Sequence, residues 1–172
     1  AASDVYKRQG VESDRFVSAW LAITPATEEN GCIRLLPGSH RGPKLDHIDT
    51  WEKDNMLTRG QTIMDVDETK AVKLELQPGE VALFDYRLAH ASYKNRSIDR
   101  RIGIGIRYIP PTARQTLADW DCASLVRGID TCGNFELEPE PSCDFDPVAV
   151  ALHQKADAEQ RKIYYQGAQQ GQ

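Results

Sequence analysis

His90 and Arg101, eleven residues apart, are the side chains of this sequence best suited to chemistry. A neutral imidazole can bind a metal ion, and a guanidinium can hold a carboxylate through two parallel hydrogen bonds. Both residues lie between Gly79 and Pro111, where apolar and polar residues alternate as they do in half-buried β-strands. The pair is therefore suited to a metal site that also binds a carboxylate ligand.

The simplest arrangement of this stretch is a β-hairpin whose turn centres on Asn95 and Arg96, with His90 opposite Arg101. Cross-strand partners have Cβ atoms about 5 Å apart and point to one face. Strand alternation gives this polar face four more residues, Ser92, Gly103, Gly105 and Arg107. It also predicts an apolar face that packs as a core, with Ile102, Ile104, Ile106 and Tyr108. The spacing alone fits equally well a packed histidine and an arginine in a surface ion pair.

Short strands are the elements that must position these residues. β-Branched and aromatic residues, with turn sequences between them, indicate strands over residues 16–24, 32–36, 62–66, 71–76, 81–89 and 101–109. Many short strands with polar turns are typical of a sandwich or jelly roll. We therefore predict a mainly β fold for residues 10–111.

The C-terminal part, residues 112–172, differs in composition and is expected to be an extension of the β domain. Residues 112–146 are loop-like. A helix is predicted over residues 147–166, because Asp146 is a good N-cap and Pro147 suits the first helical position.

Composition argues against several classes of partner. The net charge is -5 and no long basic run occurs, so nucleic acid is not an expected partner. No run of about 18 apolar residues indicates a membrane span, and the amino terminus has no apolar region typical of a signal peptide. None of the four cysteines forms a CxxC pair, so we expect free thiols, a reducing compartment and a cytoplasmic location.

Several motifs, in the same order, resemble the phytanoyl-CoA dioxygenase family. The family has an Ala-Trp strand, an Asn-Gly-Cys turn, a Pro-Gly-Ser-His loop, and a Gly-(Asp/Glu)-Val strand that leads to a histidine. This chain has these motifs at Ala19–Ala22, Asn30–Ile33, Pro37–His40 and Gly79–Phe84. The family's 2-oxoglutarate-binding arginine follows its histidine by eleven residues, as Arg101 follows His90. The resemblance spans roughly residues 16–111.

The resemblance implies a double-stranded β-helix, a cupin-like jelly roll, that holds Fe(II) with two histidines and one carboxylate. It also implies 2-oxoglutarate as co-substrate, O2, and hydroxylation of a small organic substrate. His90 would be an iron ligand. Arg101 and Ser92 would hold the far carboxylate of 2-oxoglutarate, and Trp20 would line its pocket.

Other ionisable residues are less specific. Arg107 shares the predicted polar face and is a candidate for binding a substrate anion, or it pairs with an acid such as Asp85. His47-Ile48-Asp49 has the spacing of an iron-ligand motif but lies in a polar stretch, and we interpret it as a solvated loop. We expect His40 to order its loop and His153 to lie on the surface of the C-terminal helix.

The family's other two iron ligands come from a His-x-Asp motif, one strand before the Ala-Trp strand. Here that window is residues 4–12, which contain no histidine. It overlaps residues 1–9, which share no periodicity with the rest and which we interpret as a sequence artefact or a disordered terminus. We therefore expect an incomplete jelly roll from an N-terminally truncated oxygenase, which is inactive as it stands.

Two other hypotheses compete with the oxygenase fragment. A non-catalytic jelly-roll binding module, or pseudoenzyme, would keep the pocket and lack iron. A metal-cupin isomerase or epimerase needs several clustered histidines, which four scattered ones do not supply. The reading frame upstream of Gly10 distinguishes the first two hypotheses, because a His-x-Asp motif there would favour the oxygenase.

Overall fold

The computed structural model describes residues 10–13, 15–42, 47–49, 61–64 and 66–165. In chain order these residues form β1 (Val11–Glu12), β2 (Val17–Ala22), β3 (Ile33–Leu35), β4 (His47–Asp49), β5 (Gln61–Ile63), β6 (Val72–Leu74), β7 (Val81–Asp85), β8 (His90–Ser92), β9 (Gly103–Tyr108), β10 (Arg114–Gln115), β11 (Cys122–Ala123), β12 (Glu136–Leu137) and α1 (Pro147–Tyr165). The predicted mainly β class is confirmed. Residues 1–9, and the predicted end of the helix at residue 166, lie outside the described residues.

Two three-stranded antiparallel sheets form the β domain. One has the strand order β7-β2-β9, and the other has the order β6-β3-β8. The chain passes from one sheet to the other between β2 and β3, between β6 and β7, between β7 and β8, and between β8 and β9. This alternation is that of a jelly roll, so the predicted architecture is confirmed.

The predicted hairpin between β8 and β9 is wrong. β8 pairs with β3, and β9 pairs with β2 in the other sheet. The link between them is fixed by its own contacts: the Asn95 side chain donates to the Asp99 carbonyl at 2.7 Å, and the Arg96 N–H donates to the Glu29 carbonyl at 2.9 Å. Turn residues at positions 94–97 predict a change of direction, but they do not specify which sheet the next strand joins.

Although β8 and β9 do not pair, side chains along each strand still alternate between two faces of its sheet, as predicted. Across β2, Gly105 pairs with Trp20 and Phe84 pairs with Ser18, so these four residues share one face of the β7-β2-β9 sheet. The ring centroid of Phe84 lies 5.6 Å from that of His90, which belongs to the other sheet. This face therefore points toward the other sheet, and we call it the inner face.

The opposite, outer face of the same sheet is apolar but exposed, contrary to the expectation that it forms a core. Leu21 on this face is partly buried, but eight other large side chains are 39 to 68% exposed: Val17, Ile23, Val81, Leu83, Ile102, Ile104, Ile106 and Tyr108. The most deeply buried residues of the β domain are small, among them Ala22 and Ala26. The expectation failed because strand alternation reveals two faces without showing which one other elements cover.

The chain divides into two compact units. One contains Phe16–Tyr108, with both three-stranded sheets and the β4-β5 ladder. The other contains the chain from Ile109 onward together with β1, whose Val11 pairs with Gln115 of β10. The boundary after Tyr108 lies close to the predicted boundary after residue 111.

The C-terminal unit contains more regular structure than its loop-like sequence indicates. β11 and β12 form a short parallel pair between residues 112 and 146. The helix α1 begins at Pro147, and the Oδ1 atom of Asp146 accepts the Val148 N–H at 2.8 Å, as an N-cap does. The predicted start of the helix is therefore confirmed.

Two general properties bear on the sequence predictions. All four cysteines are free thiols, and Cys32 is buried. Among the described residues, no helix is both long and apolar enough to cross a membrane.

Candidate active site

His90 opens β8 with its ring orientation fixed by the backbone. Its Nδ1 atom lies 2.8 Å from the Leu88 carbonyl oxygen. A carbonyl can only accept, so Nδ1 carries a proton, and in the neutral ring the lone pair is then on Nε2. Metal-binding histidines are commonly held in this way, with one ring nitrogen donating to a carbonyl and the other facing the metal. His90 therefore has the tautomer of a metal ligand.

Ser39 secures the start of β8 just before His90. Its Oγ atom accepts the N–H of Ala89 at 2.8 Å, and the Ala89 carbonyl accepts the Leu36 N–H at 2.9 Å. The first contact comes from the Pro-Gly-Ser-His loop, whose Gly38 has a φ of 81°, and the second comes from Leu36, just before that loop. Sequence reasoning assigned the ordering role in this loop to His40 and missed Ser39. The motif itself was the signal that could have found it.

Arg101 and Trp20 lie against each other on the inner face. The guanidinium carbon of Arg101 is 5.6 Å from the centre of the Trp20 ring, a cation–π distance. Burial lowers the pKa of Arg101 from its ordinary value. The side chain stays cationic at physiological pH all the same, because an arginine pKa is so high. A partly buried cation of this kind favours an anionic ligand.

Gly103 allows Trp20 to take this position. A Cβ atom on Gly103 would lie 2.2 Å from the Cζ2 atom of Trp20, so the ring lies across the glycine backbone. A Cβ on Gly105, by contrast, would meet nothing within 4 Å. The inner face therefore has a filled position at Gly103 and open space at Gly105.

The aromatic residues that contact His90 and Arg101 lie close together on the inner face, because of the way β7 pairs with β2. His90 packs on Phe84, which pairs with Ser18, and Arg101 packs on Trp20, two residues further along the same strand and face. Diagonal neighbours of this kind have Cα atoms about 7–8 Å apart. Both side chains are thus anchored to neighbouring positions of the inner face, although they belong to different sheets.

A cavity of about 210 Å³ adjoins His90 and Ser92. Its lining consists of Arg34, Leu36, Thr62, Ile63, Val66, Glu68, Ala71, Ala89, His90, Ala91, Ser92 and Tyr93. The consecutive residues 89–93 alternate between the two faces of β8, so the cavity follows the edge of this strand. Trp20 and Arg101 are not part of its lining. That all four site residues share one pocket stays a prediction.

Arg107 lies on the inner face, where it pairs with Ser18 across β2. Asp85 pairs with Val17, so it points to the outer face. Its carboxylate lies 3.1 Å from the Arg87 guanidinium. Although burial opposes the effect, hydrogen bonds from Arg87 hold the pKa of Asp85 below its ordinary value. The described partner of Asp85 is thus Arg87, and the roles predicted for Arg107 stay predictions.

The His-x-Asp sequence at residues 47–49 is not the loop that we expected. It forms β4 and pairs with β5. Among the described residues, no group of three or more histidine, cysteine or acidic side chains is placed to hold a metal ion. His90 as a ligand of Fe(II), and Arg101 as the residue that holds the far carboxylate of 2-oxoglutarate, stay predictions.

Comparisons with known proteins identify the family. A model of the family "Phytanoyl-CoA dioxygenase (PhyH)" matches residues 3–103. The chain is 34% identical over 99 residues to the peroxisomal phytanoyl-CoA dioxygenase of Bos taurus. The aligned region covers 56% of this chain and 29% of that protein. The chain is 32% identical over 98 residues to a probable alpha-ketoglutarate-dependent hypophosphite dioxygenase of Stutzerimonas stutzeri, spanning 56% of this chain and 34% of that protein.

Solved structures agree with the fold. The apo form of the non-heme monooxygenase ThoJ is similar with a TM-score of 0.78 and 33% identity, over 94% of this chain and 58% of that one. CytC3 with Fe(II) and alpha-ketoglutarate, which is 2-oxoglutarate, gives a TM-score of 0.50 and 25% identity, over 75% of this chain and 49% of that one.

The jelly-roll fold of this chain is shared with the non-heme monooxygenase ThoJ and with CytC3, whose structure holds Fe(II) and alpha-ketoglutarate. The chain belongs to the phytanoyl-CoA dioxygenase family, because the family match covers more than half of its residues. Of the similar proteins, the one from Stutzerimonas stutzeri is named as an alpha-ketoglutarate-dependent dioxygenase, and CytC3 was solved with Fe(II) and alpha-ketoglutarate. The chain spans about a third of the length of the two curated relatives and 58% of the ThoJ chain.

Proposed function

We propose that this chain is the C-terminal part of an Fe(II)- and 2-oxoglutarate-dependent dioxygenase that hydroxylates a small organic substrate. In this proposal His90 is one iron ligand, Arg101 and Ser92 hold the far carboxylate of 2-oxoglutarate, and Trp20 lines the pocket. The observation that supports it most is the contact of Arg101 with Trp20 on the face that His90 also contacts. The family match makes a 2-oxoglutarate ligand the natural anion for this arginine.

Fe(II) would supply open coordination positions for 2-oxoglutarate and O2, whose joint reaction oxidises the substrate. The residues of this chain have simpler tasks. His90 offers the Nε2 lone pair, held in direction by the Leu88 carbonyl. Arg101 orients a carboxylate through its planar guanidinium, and the Trp20 ring keeps water from one side of that contact.

Arg107 is the residue that we propose for an anionic group of the substrate. It lies on the inner face, two residues from Gly105, where a Cβ atom would meet nothing within 4 Å. A substrate that enters this open space would pass the guanidinium. The proposal predicts that Arg107→Ala raises the KM for an anionic substrate and leaves the KM for 2-oxoglutarate unchanged.

The 172-residue chain by itself is proposed to be inactive, because the described residues supply one protein ligand where Fe(II) needs three. Loss even of groups that only support the ligands costs about 10–100-fold in metal affinity or activity. The alternative is a non-catalytic binding module, which would keep the carboxylate site and never bind iron. The two hypotheses differ in what a longer chain does.

The test compares the chain with a version extended by the upstream segment of its gene. We expect the extended protein to bind Fe(II) and convert 2-oxoglutarate to succinate, and the 172-residue chain to do neither. In the extended protein, His90→Ala should abolish iron binding, and Arg101→Ala should sharply raise the KM for 2-oxoglutarate. Arg87→Ala is the matched control, because Arg87 pairs with Asp85 on the outer side.

Two results would contradict the proposal. An extended chain that binds 2-oxoglutarate but does not bind Fe(II) would favour the binding module. Succinate formation by the 172-residue chain, removed by His47→Ala, would show that the His47-Ile48-Asp49 segment supplies ligands after all. The cytoplasmic location expected from the sequence stays a prediction, since the bovine relative is named as peroxisomal.

A further inference from the structure

We infer that Thr24 is a positioning residue for Arg101. The Thr24 hydroxyl donates to the Arg100 carbonyl at 2.8 Å and accepts the Ile102 N–H at 2.8 Å. These two groups belong to the residues on either side of Arg101. One side chain therefore holds the backbone on both sides of the arginine.

This contact lies where the regular ladder ends. The last pair of the β2-β9 ladder is Ala22 with Gly103, and Arg101 lies beyond it. Two further backbone bonds reach the Ile102 carbonyl, from the N–H groups of Ile23 at 3.0 Å and Thr24 at 3.2 Å. These two bonds hold Ile102 against residues 23 and 24, but neither of them reaches Arg100. The Thr24 hydroxyl adds the bond to Arg100, so it completes the register around the arginine.

A single segment thus sets both sides of the Arg101–Trp20 contact. Trp20 lies within β2, and Thr24 follows the strand by two residues. The hydroxyl restricts the backbone dihedral angles at Arg101, and through them the direction of its side chain, toward the Trp20 ring 5.6 Å away. The inference rests on the proposed function, because the position of Arg101 matters for activity only if Arg101 binds 2-oxoglutarate.

The role differs from ordinary stabilisation in what it predicts. Thr24→Val keeps the shape of the side chain and removes both hydrogen bonds, whereas Thr24→Ser keeps the hydroxyl. A typical hydrogen bond contributes about 1 kcal/mol, which corresponds to about fivefold in a binding constant. Both hydrogen bonds are already present in the ligand-free chain, so only part of this energy affects binding. We therefore expect Thr24→Val to weaken 2-oxoglutarate binding by up to about fivefold, and Thr24→Ser to leave it nearly unchanged.

The experiment titrates 2-oxoglutarate into the isotope-labelled chain and follows the indole N–H of Trp20 by NMR. Thr116→Val is the matched control, because its hydroxyl bonds to the Gly10 carbonyl in the other compact unit. Thr24→Val is also combined with Arg101→Lys. If Thr24 acts through Arg101, its effect is smaller in the Arg101→Lys background. Equal effects in both backgrounds would overturn the inference.

A second measurement needs no ligand. In Thr24→Val the Ile102 amide should exchange with solvent faster, and NOEs between the Trp20 ring and the Arg101 side chain should weaken. Retention of both at wild-type levels would overturn the inference even if the proposed function holds. Failure of Arg101→Ala to change 2-oxoglutarate binding would instead count against the proposed function and leave this structural measurement standing.

Discussion

The ring of Trp20 occupies the space in which a side chain on Gly103 would lie, with Cζ2 only 2.2 Å from the position of a Cβ atom. The strand partner of Trp20 in the register is Gly105, and the space around that glycine is open. Two glycines of one strand therefore have different roles. Gly103 is needed for packing, and Gly105 leaves room on the inner face.

Gly103→Ala is expected to destabilise the protein by about 1–3 kcal/mol, the range for overpacking in a filled site. The methyl group would displace the Trp20 ring and separate it from Arg101. Gly105→Ala is the matched control, and we expect it to be neutral or to stabilise by up to about 1 kcal/mol, because glycine within a strand is unfavourable. Urea unfolding and near-UV circular dichroism measure both effects. Equal unfolding free energies for the two variants would contradict the packing role of Gly103.

Ser39→Ala tests how the start of β8 is held. The variant leaves the N–H of Ala89, a buried residue, without the hydroxyl that accepts it at 2.8 Å. An unsatisfied buried donor costs about 1–3 kcal/mol, so the unfolding free energy should fall by that amount. Ser39→Thr keeps the hydroxyl and should lose less. An unchanged free energy of unfolding in Ser39→Ala would show that the contact does not hold β8.

The residue pattern located five of the six strands of the two three-stranded sheets, all except β8, but it did not pair them. The stretch predicted at residues 16–24 contains β2, and the stretch predicted at 101–109 contains β9. The alternation of side chains also gave the correct faces for Gly105 and Arg107. Pairing depends on contacts between distant parts of the chain, such as that of β8 with β3, and no local pattern contains them.

In the candidate site, too, some residues could be predicted from the sequence and others could not. The residues proposed to touch ligands, His90, Arg101 and Trp20, followed from family motifs. Thr24 and Ser39 did not, because their hydroxyls act across 78 and 50 residues of sequence. A threonine at the end of a strand and a serine in a loop are common, so only the folded chain shows what they hold.

Leu83→Lys tests the exposed outer face of the β7-β2-β9 sheet. Leu83 and Ile106 lie on either side of Ala19 in the register and are 68% and 39% exposed, within a continuous apolar surface. Such surfaces bind apolar dyes, so Leu83→Lys should reduce the fluorescence of anilinonaphthalene sulfonate. The unfolding free energy should change by no more than about 0.5 kcal/mol, as for most surface substitutions. Ile98→Lys is the control, since Ile98 is fully exposed in the link before β9. An equal loss of fluorescence in both variants would contradict a continuous surface.

The pKa of Asp146 gives the last prediction. Hydrogen bonds from the Ser142 hydroxyl and backbone, and from the Val148 backbone, lower the pKa of Asp146 from 3.8 to about 2. A carboxyl group whose pKa is lower in the folded state stabilises that state above its unfolded pKa, and this stabilisation is lost as the pH falls. The contribution of Asp146 to the start of α1 should therefore be complete above about pH 4 and disappear toward pH 2.

Carboxyl-detected NMR titration measures this pKa directly, and far-UV circular dichroism follows the helix. Ser142→Ala removes the largest cause and should raise the pKa of Asp146 toward 3.8. Asp146→Asn keeps a good N-cap but no longer titrates, so its helix signal should not change between pH 4 and 2 on account of this site. Asp146→Ala should lose helix at every pH. A pKa near 3.8 in the unmodified chain would show that the Ser142 contact is absent in solution.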